Sequence, residues 1–223
     1  MIQVKVCGIR RWQDALAVQD TGAHAVGFVF YPKSPRFVSK DRALSISRML
    51  SPFMARVGVF VDAPLKEVLS TLKECRLTAA QLHGNESPAF CRSIAERGFG
   101  VIKAVHVEEG ERATNHARNI ERLQRFCQRY INSVDAFLVD TKHPKLKGGT
   151  GTVCDWTAVA SIAREYPVIL AGGLTSSNVE EAVKRVRPLG VDVSSGVEVE
   201  PGIKDQAEVR RFVREVWRRS DEL

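Results

Sequence analysis

An apolar run, a break carrying polar or glycine residues and an amphipathic helix follow one another in that order eight times along the chain. The apolar runs are Gln3 to Cys7, Ala25 to Phe30, Arg56 to Val61, Ala79 to His83, Val101 to Val107, Ala136 to Asp140, Val168 to Ala171 and Val191 to Ser194. Most are near-continuous Val, Ile, Leu and Phe, which suits strands buried on both faces of a parallel sheet. Between them Leu65, Val68, Leu69 and Leu72 recur at helical spacing, as do Val179, Ala182, Val183 and Val186, and later Val209, Phe212, Val213 and Val216. Eight units in 223 residues leave about 28 residues per unit, a compact form of an architecture whose usual length is about 250 residues. The sequence therefore predicts an α/β fold, a single (β/α)8 TIM barrel of eight parallel strands spanning residues 1–223. A doubly wound open sheet is the competing architecture, but no GxGxxG follows the first strand and eight regular units favour closure.

The punctuation agrees with that period. Ser87-Pro88 offers a cap followed by proline at the first helical position, Pro64 does the same after Ala63, and Gly22 ends the first helix. Two breaks are long, Tyr31 to Ser39 and Thr141 to Asp155, and long loops in a compact domain are often functional.

The net charge of +7 raises the question of nucleic acid, but the basic residues are spread over helices. The densest group, Arg210, Arg211, Arg214, Arg218 and Arg219, reads as the solvated face of the last helix. A modest positive field still favours anionic substrates. Five cysteines, Cys7, Cys75, Cys91, Cys127 and Cys154, without a CxxC pair indicate a reducing compartment. Met1 leads directly into the first strand, and no apolar run approaches the roughly 20 residues of a membrane span. A cytoplasmic protein is expected, with neither nucleic acid nor membrane as a partner.

If the strands are parallel, all eight breaks lie at one face, where active sites of such barrels are built. Cys7 follows the first strand, Arg36 lies in the first long loop, His83 ends the fourth strand and Asp140 ends the sixth. Gly148-Gly149, Gly172-Gly173 and Ser194-Ser195-Gly196 follow the sixth, seventh and eighth. Gly172 and Gly173 precede Thr175-Ser176-Ser177, whose hydroxyls would cap the next helix and aim its N-terminus at the mouth; with Ser195 and Gly196 they make a phosphate site. The bland alternative is that these glycines only permit tight turns.

A free cysteine is ordinarily a small buried hydrophobe. At a strand end beside a phosphate site, Cys7 becomes a candidate base or nucleophile, provided that local positive charge lowers its pKa. A carboxyl at Asp140 and a thiol across one mouth would divide acid and base work. Arg36, braced by Pro35, would clamp a carboxylate or form a loop-stabilising salt bridge. His83 reads as a structural histidine, and no spacing of His, Cys and Asp suggests a metal site.

Lys5-Val6-Cys7-Gly8-Ile9, Gly27-Phe28-Val29-Phe30-Tyr31-Pro32-Lys33-Ser34-Pro35-Arg36, Gln81-Leu82-His83-Gly84, Gly148-Gly149-Thr150-Gly151, Leu170-Ala171-Gly172-Gly173-Leu174 and Asp192-Val193-Ser194-Ser195-Gly196-Val197-Glu198 resemble, in order and over nearly the whole chain, the motifs of phosphoribosylanthranilate isomerases of tryptophan biosynthesis. The resemblance implies an Amadori rearrangement of N-(5-phosphoribosyl)anthranilate, a small phosphosugar substrate, without a cofactor. It implies Asp140 as general acid, Cys7 as the thiolate base, Arg36 as holder of the anthranilate carboxylate, and Gly172, Gly173, Ser195 and Gly196 as the phosphate site. Asn85, Thr152 and Cys154 depart from the family's usual residues, which leaves details of the sixth loop open but not the reaction. The analogous isomerase of histidine biosynthesis would call for a second anion site and an aspartate in place of Cys7. A barrel kept only as an interaction module would have lost Cys7 or Asp140.

Overall fold

The computed structural model describes residues 1–106, 116–140 and 156–218. Eight strands, β1 (Gln3–Cys7), β2 (Ala25–Val29), β3 (Ala55–Phe60), β4 (Ala79–Leu82), β5 (Gly100–His106), β6 (Ala136–Asp140), β7 (Val168–Ala171) and β8 (Gly190–Val193), alternate with α1 (Trp12–Asp20), α2 (Lys40–Ser47), α3 (Leu65–Glu74), α4 (Pro88–Ala95), α5 (His116–Tyr130), α6 (Trp156–Ala163), α7 (Val179–Val186) and α8 (Gln206–Trp217). Every strand pairs in parallel with its sequence neighbours, and β1 pairs with β8 to close the barrel, Lys5 standing opposite Asp192. The expected TIM barrel is present, and the strand ends differ from the sequence reading by about a residue.

Two apolar layers explain why the strands lack alternation. Val4, Val6, Val26, Phe28, Phe137, Val139, Val168, Leu170, Val191 and Val193 point outward into the layer shared with the helices. The intervening positions face the interior, where Cys7, Val29 and Val59 form one cluster and Ala104, Leu138 and Ala171 another. Side chains such as Phe28, Phe60, Phe137 and Phe212 are fully buried, each stabilising by about 1.5–3 kcal/mol relative to exposure. Charged residues sit in the same interior: Lys5 and Asp192 are both under a tenth exposed.

The caps agree in part with expectation. Ser87 accepts from the Phe90 N–H with Pro88 opening α4, and Gly22 follows α1 at φ +80°. Pro64 is the residue before α3 rather than its first, because Leu65 is the first residue to take helical geometry. A short antiparallel ribbon, β9 (Glu198–Glu200) with β10 (Ile203–Lys204), follows the barrel and was not anticipated. Val107, the long loop Thr141 to Asp155 with Gly148-Gly149-Thr150-Gly151, and the departures at Thr152 and Cys154 lie outside the described residues.

Candidate active site

The C-terminal ends of the strands surround a cleft of about 430 Å³. Cys7, Arg36, Asp140, Gly172, Gly173, Ser195 and Gly196 all line it, joined by Tyr31, Gln81, His83 and Asp192. Side chains separated by more than a hundred residues are thus brought to one mouth by the parallel barrel.

Cys7 ends β1 and is 7% exposed. Its carbonyl accepts from the Ser194 hydroxyl at 3.1 Å, and the Gly8 N–H donates to the Gly27 carbonyl at 3.0 Å, so the thiol is carried by backbone tied to both neighbouring strands. Gly27 leaves the space the thiol occupies: a Cβ there would lie 2.7 Å from Cys7 Sγ and 3.1 Å from Lys5 Nζ. Burial pushes the thiol above its ordinary pKa, the Lys5 charge opposes that rise and the Asp192 carboxylate adds to it. The positive charge that the sequence reading asks for is present in Lys5, but desolvation outweighs it.

Asp140 ends β6 across the mouth, 8% exposed. His83 Nε2 lies 3.3 Å from its Oδ2, and Gln81 Nε2 lies 3.1 Å from His83 Nδ1. When the Gln81 amide donates, the imidazole proton sits on Nε2 and points at Asp140. The sequence alone reads His83 as a structural residue; the structure places it in the cleft, against Asp140. Gln81 Oε1 is buried and has no partner among the described residues.

Arg36 reaches the cleft from the loop after β2, its backbone N–H bonded to Ser34 Oγ at 3.1 Å. Its guanidinium grips Glu198 in a fork, Nε to Oε1 at 2.9 Å and Nη2 to Oε2 at 2.6 Å. Of the two readings of Arg36, the salt bridge is therefore formed, and Nη1 donates to no described residue. Lys204, its side chain fully buried, donates to the same Glu198 Oε1 at 2.8 Å. Burial alone would raise the Glu198 carboxyl; Arg36 and Lys204 together hold it below its ordinary value. Glu198 and Lys204 were missed as site residues. So were Lys5 and Asp192, although a charged residue inside an apolar strand, as in Val4-Lys5-Val6 or Val191-Asp192-Val193, is a usable signal.

The glycine loops meet at the remaining side. Gly172 and Gly173 adopt φ of +85° and +65°, and Gly196 packs so closely on the Leu174 carbonyl that a Cβ would collide with it. The Gly173 and Ser195 N–H groups donate to no acceptor among the described residues. Ser195 opens a single 3-10 turn, Ser195–Val197. One expectation is corrected. The hydroxyls after Gly173 do not cap α7: Ser176 donates to Glu208 at 2.7 Å, Thr175 and Ser177 pair with each other, and Asn178 stands at the cap position. This side of the cleft is lined by the loop glycines and the 3-10 turn.

Among the described residues no group of three or more His, Cys, Asp or Glu side chains is placed to hold a metal ion, and no helix is long and apolar enough to cross a membrane. The profile of the family described as N-(5'phosphoribosyl)anthranilate (PRA) isomerase matches residues 4–215. The chain belongs to this family. An N-(5'-phosphoribosyl)anthranilate isomerase of Pelobacter propionicus is 42% identical over 214 residues, covering 96% of this chain and 95% of the relative. The crystal structure of phosphoribosyl anthranilate isomerase from Thermotoga maritima superposes with a TM-score of 0.85 at 42% identity, covering 97% of this chain and 99% of that one. A further phosphoribosyl anthranilate isomerase, solved in complex with reduced 1-(o-carboxyphenylamino)-1-deoxyribulose 5-phosphate, gives 0.82 at 39% identity with the same coverage.

Proposed function

We propose that the chain converts N-(5'-phosphoribosyl)anthranilate to 1-(2-carboxyphenylamino)-1-deoxyribulose 5-phosphate, the Amadori step of tryptophan biosynthesis, by general acid and base catalysis, and that it works in the cytoplasm on a free phosphosugar. The observation that carries this reading is one cleft lined by a carboxyl (Asp140), a thiol (Cys7), a guanidinium (Arg36) and two glycine loops (Gly172-Gly173 and Ser195-Gly196). An aldose-to-ketose shift asks for those four elements.

In this scheme Asp140 gives its proton to the furanose ring oxygen as the bond from that oxygen to C1' breaks. The nitrogen lone pair forms the protonated imine, and Asp140 is left as carboxylate. Cys7, as thiolate, takes the proton from C2', and the electrons of that C–H bond neutralise the imine to give an enolamine. Loss of the C2' hydroxyl proton and gain of a proton at C1' complete the ketone. Gly172, Gly173, Ser195 and Gly196 hold the phosphate through backbone N–H groups. Arg36 offers the anthranilate carboxylate the guanidinium edge that Glu198 leaves open. With both ends of the substrate fixed, C1' and C2' are held between acid and base.

The test is a continuous assay of the loss of phosphoribosylanthranilate fluorescence by purified protein, without added metal or nucleotide, beside Cys7→Ser. Turnover by the wild type that collapses in the variant is expected. A folded wild type that leaves the fluorescence unchanged overturns the reaction, and an active Cys7→Ser overturns the base.

A further inference from the structure

The base proposed for Cys7 has a physical difficulty, since burial disfavours the thiolate. The barrel interior places a cation against it. Lys5 lies two residues before Cys7 on β1, so both side chains point inward, and both approach to about 3 Å of the same point above the Gly27 Cα. Lys5 Nζ donates to Asp192 Oδ1 at 2.9 Å with both side chains under a tenth exposed, and the pairing of Lys5 with Asp192 across β1 and β8 fixes that contact in the sheet register. A buried ammonium costs several kcal/mol unless it is paired, and a salt bridge at this depth is weak evidence of stability, which leaves its place beside the thiol to be explained.

We infer that Lys5, held in place by Asp192, is the counter-ion of the Cys7 thiolate and thereby a positioning residue for the proton transfer. This rests on Cys7 being the base. When the S–H bond breaks, the electron pair stays on sulfur beside the ammonium, and the proton leaves through the open cleft to water. The thiolate then takes the substrate proton and returns to thiol.

The charged groups facing Cys7 are Lys5 of β1, Asp192 of β8 and Lys204 of β10, and Asp140 and His83 act on Asp192. Lys5 and Lys204 favour the thiolate and Asp192 opposes it directly while holding Lys5 beside it, so removing the Lys5 charge must disfavour the thiolate. Burial alone would lower Lys5, but Asp192 and Cys7 more than reverse that and keep it charged.

The experiment measures the rate of iodoacetamide labelling of Cys7 at about pH 8, by peptide mass, which separates it from the other four cysteines, in wild type, Lys5→Met and Lys5→Arg. The rate is expected to fall about tenfold or more in Lys5→Met and to stay within about threefold of wild type in Lys5→Arg, which keeps the charge, with kcat of Lys5→Met down about tenfold or more at neutral pH and KM little changed. Should Lys5→Met not fold, Lys5→Gln takes its place. An unchanged labelling rate in the folded neutral variant overturns the inference. The base assignment fails separately: slowed labelling in the neutral variant beside a fully active Cys7→Ser would keep the ion pair and remove the base.

Discussion

Gly27→Ala adds one methyl group at the point where the thiol lies. The new Cβ would sit 2.7 Å from Cys7 Sγ, a shortfall of about 1 Å against an ordinary contact of about 3.5–4.0 Å. It would also come within 3.1 Å of both Cys7 Cα and Lys5 Nζ. Sulfur is the end of a side chain with one torsion, so the least costly response is for the thiol to swing away by about the missing distance. Replacing glycine in a strand also lowers the entropy of the unfolded chain, an effect of about 0.4–1 kcal/mol in the opposite direction. The net loss of stability should stay near 1 kcal/mol, a Tm fall of about 2–4 °C for a chain of this size. Catalysis does not share that tolerance, because a base displaced by about 1 Å loses on the order of a hundredfold in rate. The fluorescence assay should therefore show kcat down about a hundredfold with KM within about threefold, beside a melting curve lowered by only about 2–4 °C. A folded Gly27→Ala with wild-type kcat would refute the claim that contact with this glycine positions the thiol.

Asp140→Asn keeps the shape of the acid and removes its proton, so kcat should fall by about two to four orders of magnitude with substrate binding largely retained, read from steady-state kinetics and a substrate titration. Glu198→Gln weakens the fork on Arg36, and KM should rise about tenfold while kcat changes less. Glu198 also predicts a pH effect on stability. Its folded pKa lies below the ordinary 4.5, so the folded state binds fewer protons there than the unfolded one; the contribution is in place above about pH 4.5 and is lost as pH falls through the lower folded value. Thermal melts from neutral to acidic pH should accordingly drop more steeply for wild type than for Glu198→Gln, and parallel curves would count against the pair. Gly196→Ala meets a backbone carbonyl rather than a movable side chain, so it should cost about 1–3 kcal/mol and raise KM, checked by melting and by inhibition with inorganic phosphate.

The eight-fold order of run, break and helix carries almost all of the architecture, since two-sided burial writes itself into strands such as Ala136–Asp140 as continuous apolar sequence. Cys7, Asp140 and the glycine loops were legible because strand ends are legible. Partnerships were not. Arg36 meets Glu198 across 162 residues, and nothing local in either loop announces the other. Ser176 was read as a helix cap because serine before a helix is usually one; its bond to Glu208 on α8 depends on how two distant helices pack. Lys5 offered a local sign, a cation between two valines, whose meaning required the register that sets Asp192 beside it.

Closure of the barrel also has a temporal side. Lys5 and Asp192 are 187 residues apart in the chain, which at synthesis rates of about 5–20 residues per second separates their appearance by about 10–40 s. Throughout that interval the side of β1 destined for β8 is an unmatched strand edge of a kind that recruits foreign strands, and Lys5 waits without its counter-charge. Trp217 seals the same seam later still, its indole N–H donating to the Ile2 carbonyl at 3.1 Å. The first strand of the barrel to be made is thus among the last to be finished, and a ribosome paused before residue 190 holds a nascent chain that cannot close its barrel or assemble its cleft.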